Sequence, residues 1–370
     1  MDDRIDRLQR LSAKTDGLLS LAGGLPADEL FPRKKLAAAF LSVIGRPQCP
    51  ALQYGWPEGN EGLRGWIAER LRGRGASVSA DDVIVTSGAQ QAVAIASELI
   101  GIDGRSVATE DETYPGALDL FRDRGARTVA SEARGIPDDA ACVYVVAGAS
   151  NPRGRGIGAE RRAQLLASNK PLIVDEAYAE LRFDGRVDRP LIADARDRVW
   201  QVGTFSKTLA PGLRVGWLVA PPSAAGDALR VKRDLDLQAG SMAQAVLEGY
   251  LGLGDFDDRL VRARRAYAAR AARLARALRR ELPGTSWIEP EGAFAIFVET
   301  ELTGVDEAQA LAIATAHGVS YDPGSMFRPG GERDPFAFRL CFSSLAGESF
   351  DEAARRLRRA LGEIRARRAA

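Results

Sequence analysis

The middle of the chain alternates short apolar runs, rich in β-branched residues, with longer amphipathic stretches. Seven such runs lie between residues 83 and 220: VIVTS, SVATE, TVAS, VYVVA, PLIVDE, VWQVGTF and RVGWLVA. Short continuous apolar runs are typical of strands buried on both faces, and helices between them predict crossovers to parallel neighbours. We therefore predict an α/β fold with a mostly parallel, seven-stranded sheet flanked by helices.

The pattern changes after Pro221 and Pro222. Long helical stretches follow, including the Ala/Arg-rich RARRAYAARAARLARALRREL, and then short strands within WIEPEGAFAIFVE and FAFRLCFSS and a closing helix. This order predicts a smaller α+β domain. We expect residues 30–240 to form the large domain, and residues 1–29 and 241–370 to form the small domain.

Composition narrows the class of protein. The chain is 45% hydrophobic and 27% charged, as ordinary globular proteins are. Over 370 residues, 51 Lys and Arg balance 50 Asp and Glu, and a net charge of +1 gives no field that would hold nucleic acid or an anionic membrane. Neither a secretory signal nor a membrane-spanning stretch is apparent, so we expect a cytoplasmic protein with free thiols.

The scarce residue types limit the chemistry. The only histidine, His317, lies in AIATAHGVS, which is typical of a helix end, so a serine or cysteine nucleophile paired with histidine is disfavoured. Cys49, Cys142 and Cys341 form no CxxC pair, so we expect no metal site. Six of the basic residues are lysine, which leaves few candidates for chemistry that needs a primary amine.

Polar residues directly after the apolar runs are the candidates for chemistry, because ligands of parallel sheets bind beyond the carboxyl ends of the strands. After VIVT come Ser87, Gly88, Ala89 and Gln90, and then a helical stretch. A small turn that opens a helix presents unpaired backbone N–H groups to a phosphate. The alternative is a tight turn without a ligand.

Two further runs end in polar residues. After LIV, Asp175 and Tyr178 can contact a ring nitrogen and a ring oxygen of one flat ligand, although Asp175 also suits a helix N-cap. After VYVVA, Asn151 lies in a turn that contains Gly and Pro, where its side chain can bond a ligand oxygen or the turn itself.

The run VWQVGTF leads to Lys207. Desolvation lowers the pKa of an amine that follows a buried strand, which makes Lys207 a candidate Schiff-base nucleophile. Thr204, Ser206 and Arg214 are near it in sequence and can donate to a phosphate. The alternative is an ordinary surface lysine, but the polar residues after the other runs favour one shared site.

Taken together, these loops resemble fold-type-I pyridoxal-phosphate enzymes, specifically the aspartate-aminotransferase superfamily of class I and II aminotransferases. The matching segments follow the family's order over nearly the whole chain: SLAGGLPADELFP, LQYGWPEGNEGLRGWI, VTSGAQQA, DETYPGA, SNPRG, VDEAY, GTFSKTLAPGLRVGW, YDPGSMF and FRLCFSS. LAGGLP with LFP, and QYG followed by LR, are most similar to the aminoadipate/kynurenine aminotransferase branch and to the aminotransferase-like domain of MocR-type regulators.

The resemblance implies an enzyme that uses pyridoxal 5'-phosphate to move an α-amino group between an L-amino acid and a 2-oxo acid. Lys207 would carry the cofactor as a Schiff base and then shuttle a proton, and Asp175 would keep the ring nitrogen protonated. Tyr178 and Asn151 would bind the ring oxygen, while Tyr114 would stack on the ring.

The resemblance also assigns the phosphate and the substrate. The phosphate would be held by the turn after VIVT and by residues around Lys207: Ser87, Gly88, Ala89, Gln90, Thr204, Ser206 and Arg214. Tyr54 would reach it from a second subunit, which implies a homodimer with shared sites. Arg339 would clamp the α-carboxylate of the substrate, with help from Asn151 and the backbone near Gly24.

Two features depart from the family's pattern. The turn SNPRG carries Arg153 where a small hydroxyl is common, which affects the expected substrate or dimer contacts there. The N-terminal segment, which reads the substrate side chain in the related branch, is short, and Arg4 and Arg7 are its candidates.

Three alternatives stay open. Lyases, cyclases and oxidases of the same fold share the cofactor residues and differ in substrate control. A non-catalytic sensor is disfavoured because the family pattern starts near residue 20, which leaves no winged-helix region. A nucleotide-binding oxidoreductase is suggested by Gly154-x-Gly156-x-x-Ala159, with Asp175 lying 21 residues after Gly154, but the first glycine does not follow a strand directly.

Overall fold

The computed structural model describes residues 17–345 and 347–369. Its strands are β1 (Leu19–Ser20), β2 (Val83–Thr86), β3 (Ser106–Thr109), β4 (Arg127–Ala130), β5 (Ala140–Val146), β6 (Leu172–Asp175), β7 (Val199–Thr204), β8 (Gly216–Val219), β9 (Thr285–Ser286), β10 (Ala295–Thr300), β11 (Val319–Ser320), β12 (Asp322–Pro323) and β13 (Ala337–Cys341). Its α-helices are α1 (Arg33–Ile44), α2 (Glu61–Arg72), α3 (Ala89–Ile100), α4 (Pro115–Asp123), α5 (Ala159–Ala167), α6 (Ala225–Asp236), α7 (Ser241–Leu251), α8 (Phe256–Glu281), α9 (Glu307–Ala316) and α10 (Ser349–Ala369).

Strands β2 to β8 form the central sheet, in the spatial order β2-β8-β7-β6-β5-β3-β4. Strand β8 runs antiparallel to its neighbours β2 and β7, and every other neighbouring pair is parallel. Each of the seven apolar runs contains residues of one of these strands, so the predicted α/β fold with a mostly parallel, seven-stranded sheet is confirmed.

Both faces of the central sheet are buried. On β5, Val143 and Val145 pack into one hydrophobic cluster, whereas Tyr144 and Val146 pack into a second cluster together with Phe121 of α4. Every residue of β5 and β6 is buried, and this is why these strands are almost wholly apolar instead of alternating. Groups that bind a ligand are therefore confined to the strand ends.

The C-terminal part of the chain builds a second, antiparallel sheet in the order β12-β13-β10-β9. Helix α10 packs against α8 and α9. Strand β1 pairs in parallel with β11, so the N-terminal segment joins this part of the molecule. Helix α1 of the expected large domain contacts helix α7 of the expected small domain across the boundary at residue 240. The division into two domains stays a prediction.

Other features of the sequence have structural roles. His317 follows the last turn of α9, and its Nε2 lies 2.9 Å from Glu363 Oε2. In the arginine-rich helix α8, Arg273 and Arg280 both donate to Asp351 of α10. The three cysteines form no disulfide. Across the described part of the chain, no helix has both the length and the apolar composition that crossing a membrane requires.

Candidate active site

A cavity of about 240 Å³ lies at the carboxyl ends of β6 and β7, where the central sheet faces β12 and β13. Most of the residues predicted from the sequence line it: Gly24, Ala89, Gln90, Tyr114, Asn151, Asp175, Tyr178, Thr204, Ser206, Lys207, Arg214 and Arg339. The predicted residues Ser87, Gly88 and Tyr54 are not part of its wall. Residues that follow five separate strands, β2, β3, β5, β6 and β7, thus converge on one cavity.

Lys207 follows β7 and supplies the amine of the cavity. Its Nζ donates a hydrogen bond to the carbonyl oxygen of Gly24 at 3.1 Å and lies 5.7 Å from the centre of the Tyr178 ring. Burial, together with the nearby charge of Arg339, lowers the pKa of Lys207 to about 8. A substantial fraction of the amine is therefore neutral and nucleophilic near physiological pH.

Asp175 ends β6 and is 3% exposed. Its Oδ1 accepts a hydrogen bond from the N–H of Ala177 at 2.9 Å, and its Oδ2 accepts one from the hydroxyl of Tyr144 at 3.1 Å. Burial raises the pKa of Asp175, while the two hydrogen bonds and the charge of Lys207 oppose that rise. The residues after it form a turn and not a helix, so Asp175 is not the helix N-cap of the alternative interpretation.

The start of helix α3 forms one end of the cavity. Gly88 precedes the helix with a φ of +94° and offers no side-chain cap to its first N–H groups. A Cβ on Gly216 of β8 would lie 2.6–2.7 Å from backbone atoms of Gly88 and Ala89. Glycine at position 216 therefore lets β8 pass close to the turn, and the uncapped helix end provides N–H donors for an anion.

Polar side chains surround this helix end. Arg214, at a φ of +52°, donates from Nη2 to the carbonyl oxygen of Ser87 at 3.0 Å. Thr204 Oγ1 lies 2.9 Å from Ser206 Oγ. The hydroxyl of Ser87 instead donates to Asp236 at 3.1 Å, so it braces the turn from outside the cavity. A guanidinium, two hydroxyls and a helix N-terminus make an environment that suits a phosphate.

Tyr114 and Gln90 form the adjoining wall. A Cβ on Gly116 would lie 2.5 Å from Tyr114 Oη, so glycine at position 116 makes room for the phenol ring. Gln90 Nε2 donates to the carbonyl oxygen of Gly116 at 2.6 Å, whereas its buried Oε1 has no hydrogen-bond partner within the described residues. A buried, unpaired oxygen on a residue of the cavity wall is consistent with a polar ligand there.

Arg339 of β13 lies opposite Asp322 of β12 in the antiparallel register. Its Nε and Nη2 donate to Asp322 Oδ2 at 3.0 and 2.5 Å, and its Nη1 donates to Asn151 Oδ1 at 2.7 Å. Burial opposes the charge of the guanidinium, but the carboxylate of Asp322 raises the pKa of Arg339 above its ordinary value. The arginine therefore stays ionised inside the cavity wall.

Arg153, the unusual cation of the SNPRG turn, is paired with acids outside the cavity wall. Its Nε donates to Glu112 at 2.6 Å and its Nη2 to Glu299 at 3.2 Å. Its guanidinium carbon lies 5.2 Å from the centre of the Phe297 ring. These contacts join the turn to β10 and account for a large cation at this position.

The sequence analysis also named Tyr54, Arg4 and Arg7 as candidate site residues. Tyr54 is 79% exposed, and Trp56 beside it is 75% exposed. Arg4 and Arg7, the candidates for reading the substrate side chain, lie outside the described residues.

The sequence analysis missed two residues of the site. Tyr144 carries a hydroxyl within an otherwise apolar strand. Because a buried hydroxyl needs a hydrogen-bond partner, this residue could have indicated a contact with Asp175. Asp322 lies in the quoted segment YDPGSMF, where a carboxylate just before proline at the start of a buried strand could have indicated a paired charge.

The residues present fit pyridoxal 5'-phosphate. The cavity offers donors for a phosphate, a buried carboxylate for a ring nitrogen, an aromatic ring for stacking and a lysine with a lowered pKa. In addition, the buried Oε1 of Gln90 has no hydrogen-bond partner among the described residues. Together with the sheet, this set defines a pyridoxal-phosphate enzyme of fold type I.

Comparison with known proteins identifies the family. The model of the family "Aminotransferase class I and II" matches residues 48–357. The 2-aminoadipate transaminase of Thermus thermophilus is 33% identical over 93% of this chain and 90% of its own length, and aromatic-amino-acid aminotransferase 1 of Thermococcus litoralis is 32% identical over 95% and 89%. A similar solved structure is the crystal structure of α-aminoadipate aminotransferase LysN from T. thermophilus, complexed with N-(5'-phosphopyridoxyl)-L-leucine. It superposes with a TM-score of 0.87 and 30% sequence identity, and the match covers 98% of this chain and 97% of that one.

The chain therefore belongs to the class I and II aminotransferases, and it is a pyridoxal-phosphate-dependent aminotransferase. The resemblance stated from the sequence is confirmed for the family, the fold, the cofactor and the type of reaction.

Proposed function

We propose that Lys207 is the catalytic residue of a transamination between an L-amino acid and a 2-oxo acid, which proceeds in two half-reactions. The observation that carries this proposal is that one cavity holds the Lys207 amine, with its pKa lowered to about 8, the buried Asp175 carboxylate and the Arg339 guanidinium. When it is bound, pyridoxal phosphate supplies an electron sink for charge that develops at the substrate α-carbon. All other tasks fall to the side chains of the cavity.

The cofactor would be held at two ends. The N-terminus of α3 at Ala89 and Gln90, with Thr204, Ser206 and Arg214, would bind its phosphate. Asp175 would keep the ring nitrogen protonated, and the hydrogen bond from Tyr144 keeps its carboxylate in place. Tyr178 and Asn151 would bind the ring oxygen, and Tyr114 would stack on the ring.

The substrate is held by its carboxylate. Arg339 binds the α-carboxylate by charge-assisted hydrogen bonds, and its contact with Asn151 keeps it at the cavity. Lys207, with an amine that is neutral in part near pH 8, takes the proton from the α-carbon of the donor in one half-reaction. In the other half-reaction it delivers a proton to the α-carbon that comes from the 2-oxo acid. Arginine at one end and lysine at the other orient the bond that is broken.

The donor amino acid is aromatic or long-chain, and glutamate or another dicarboxylate is the co-substrate. Met326, Phe327 and Pro115 add apolar surface to the cavity wall, which favours an apolar side chain. The names of the relatives, which act on 2-aminoadipate and on aromatic amino acids, agree with this range.

The enzyme is a cytoplasmic homodimer with residues 30–240 as its large domain and residues 1–29 and 241–370 as its small one. Large apolar side chains are exposed along residues 40–56, including Leu41, Leu52, Tyr54 and Trp56, and such a patch favours a subunit interface. Tyr54 lies in this patch, from which it would reach the phosphate of the cofactor in the partner's site. Buried, unpaired Cys142 and Cys341 suit a reducing compartment.

The test is the visible absorbance of the purified holoenzyme during addition of a panel of L-amino acids. A donor should convert the cofactor to its amino form, and a 2-oxo acid should restore the starting spectrum. A spectral change that no 2-oxo acid reverses would instead assign the enzyme to the lyases, cyclases or oxidases. In the Lys207→Ala variant catalytic conversion should be lost, whereas Lys170→Ala, which removes a surface amine bonded to the Asp138 carbonyl, should behave as the unmodified protein does.

A further inference from the structure

The guanidinium of Arg339 has two edges at which it can bind a carboxylate with paired N–H groups. One edge carries Nε and Nη2, and the other carries Nη1 and Nη2. Asp322 occupies the first edge, since both Nε and Nη2 donate to its Oδ2, at 3.0 and 2.5 Å. A substrate carboxylate that binds this arginine with paired N–H groups therefore has the second edge left to it, where Nη1 also donates to Asn151 Oδ1 at 2.7 Å.

Asp322 is fixed in place by the backbone. It is the register partner of Arg339 across β12 and β13, it is 3% exposed, and Pro323 follows it. The N–H of Gly23 donates to Asp322 Oδ2 at 3.0 Å. The carboxylate thus ties the arginine to the N-terminal turn, and it cannot leave the arginine without disturbing both sheet and turn.

The second edge of Arg339 faces Gly24. A Cβ added at Gly24 would lie 3.3 Å from Nη2 and 3.4 Å from Nη1, so any side chain there would crowd this edge. One flat face of the guanidinium lies over the Phe327 ring, with 4.7 Å between the guanidinium carbon and the ring centre. The absence of a side chain at position 24 therefore keeps the Nη1–Nη2 edge accessible from the cavity.

We propose that Asp322 is a positioning residue for substrate recognition: it holds Arg339 by its Nε–Nη2 edge and so presents the Nη1–Nη2 edge to the α-carboxylate of the amino acid. This inference rests on the proposed function, in which Arg339 binds that carboxylate. Asp322 also balances the buried guanidinium between turnovers, because an unpaired buried charge is strongly destabilising. The enzyme accordingly selects substrates that carry a free α-carboxylate.

The opposite role for Asp322 is competition with the substrate. In that case the Asp322 carboxylate would occupy Arg339 in place of the substrate, and the substrate carboxylate would have to displace it. The two roles predict opposite effects when the charge of Asp322 is removed, and a single variant separates them.

The experiment compares holoenzymes of the unmodified protein and of Asp322→Asn, a change that removes the charge and keeps the size. Dissociation constants are measured for two unreactive probes, 3-phenylpropanoate and the uncharged 3-phenylpropanol, and KM and kcat are measured with the amino acid donor. We expect the variant to bind 3-phenylpropanoate about tenfold more weakly, a loss typical of a misplaced charge-assisted hydrogen bond. Binding of 3-phenylpropanol should be unchanged, and KM should rise with little change in kcat. Asp322→Glu should restore part of the lost affinity.

Glu291→Gln is the matched control. Glu291 accepts a hydrogen bond from the buried Arg182 at 2.8 Å and does not line the cavity. The control should leave both dissociation constants unchanged. Equal losses for both probes in Asp322→Asn would show a merely structural role, and tighter binding of 3-phenylpropanoate would show competition. Either outcome overturns the proposal.

Failure of the proposed function gives a different result. If the unmodified protein does not prefer the carboxylate probe, or if Arg339→Lys keeps that preference, Arg339 is not the carboxylate site. If Arg339→Lys loses the preference but Asp322→Asn keeps it, the present inference alone is wrong.

Should the Asp322 variants fail to fold, Gly24→Ala provides the test, because a methyl group beside Nη1 and Nη2 of Arg339 should weaken binding of 3-phenylpropanoate alone. Unchanged binding in that variant would overturn the proposal.

Discussion

Tyr144 donates a hydrogen bond from its hydroxyl to Asp175 Oδ2 at 3.1 Å, from the middle of β5 to the end of β6. Val146 is the register partner of Asp175, so Tyr144 lies two residues earlier on the same face of the sheet. This phenol never reaches the cavity wall, yet it fixes the carboxylate that does. The site is therefore supported from within the sheet as well as from its loops.

Replacement of Tyr144 by phenylalanine tests this support. Burial already raises the pKa of Asp175, and the Tyr144 hydrogen bond opposes that rise, so its loss should raise the pKa of Asp175 further and favour the neutral acid. We expect kcat to fall about tenfold and the free energy of unfolding to fall by about 1 kcal/mol, the usual value of a buried hydrogen bond. Steady-state kinetics and urea titration measure the two effects.

The control for this change is Tyr250→Phe. Tyr250 is equally buried, and its hydroxyl lies 3.5 Å from Asp255, which does not line the cavity. A similar fall of kcat in both variants would mean that loss of stability, and not the state of Asp175, explains the result.

Gly216 offers a test of the phosphate-binding end. An added methyl group would lie 2.6–2.7 Å from the backbone of Gly88 and Ala89 and should push the start of α3 away from Arg214. Gly216→Ala should therefore bind the cofactor at least about tenfold more weakly, and overpacking should cost about 1–3 kcal/mol of stability. Equilibrium dialysis of the cofactor-free protein measures the affinity.

Gly212→Ala is the matched substitution, because Gly212 lies four residues before Gly216 and nothing lies within 4 Å of a Cβ at its position. Its cofactor affinity should equal that of the unmodified protein. If Gly216→Ala also retains full affinity, the helix end does not hold the phosphate.

Much of the site could be predicted because it lies at strand ends. Asp175, Lys207 and the turn at Gly88 directly follow apolar runs, and parallel strands bring their carboxyl ends to one edge of a sheet. A local sequence pattern is sufficient to predict such residues. They lie at the same edge of the sheet whatever their distance along the chain and whatever the order of the strands.

The residues that were missed depend on pairing between strands. Tyr144 has the pattern of a core residue, and its link to Asp175 follows only from the neighbouring positions of β5 and β6. Asp322 faces Arg339 because of the register between β12 and β13, 17 residues apart in the chain. The hydroxyl of Ser87 likewise turns to Asp236 on α6, a contact that no local pattern contains.

Lys207 makes the site sensitive to pH. Burial and Arg339 lower its pKa to about 8, so the neutral amine in the cofactor-free protein should increase as pH rises through 8 and reach a plateau above it. The rate at which this protein takes up the aldehyde cofactor should follow the same curve. Stopped-flow absorbance from pH 6 to 10 measures it, with the pH dependence of free lysine and cofactor subtracted.

Arg339→Gln should move this midpoint upward, because it removes a positive charge that disfavours the ammonium form and leaves Asp322 to stabilise it. Lys170→Ala, which alters an exposed amine, should leave the midpoint in place. If the midpoint in the unmodified protein lay near the ordinary pKa of lysine, burial of the Lys207 amine would not lower its pKa as described.

Tyr54 provides the test of a shared active site. In a homodimer whose sites combine Lys207 of one subunit with Tyr54 of the other, Lys207→Ala and Tyr54→Ala chains should each be poorly active alone. A hybrid of the two has one site with both changes and one site with neither. Random assembly during co-expression should therefore restore about a quarter of the unmodified activity, given a two-fold symmetric dimer.

The matched control pairs Lys207→Ala with Asp175→Ala. Both residues line one cavity of the same chain, so every site of this hybrid lacks one of them, and no activity should return. Recovery with Tyr54→Ala but not with Asp175→Ala would place Tyr54 in the partner's site, which is consistent with its exposure in the single chain. If dimers form and neither mixture recovers activity, Tyr54 contributes to the active site of its own subunit or to no active site. The exposed patch of residues 40–56 then contributes to dimer formation alone.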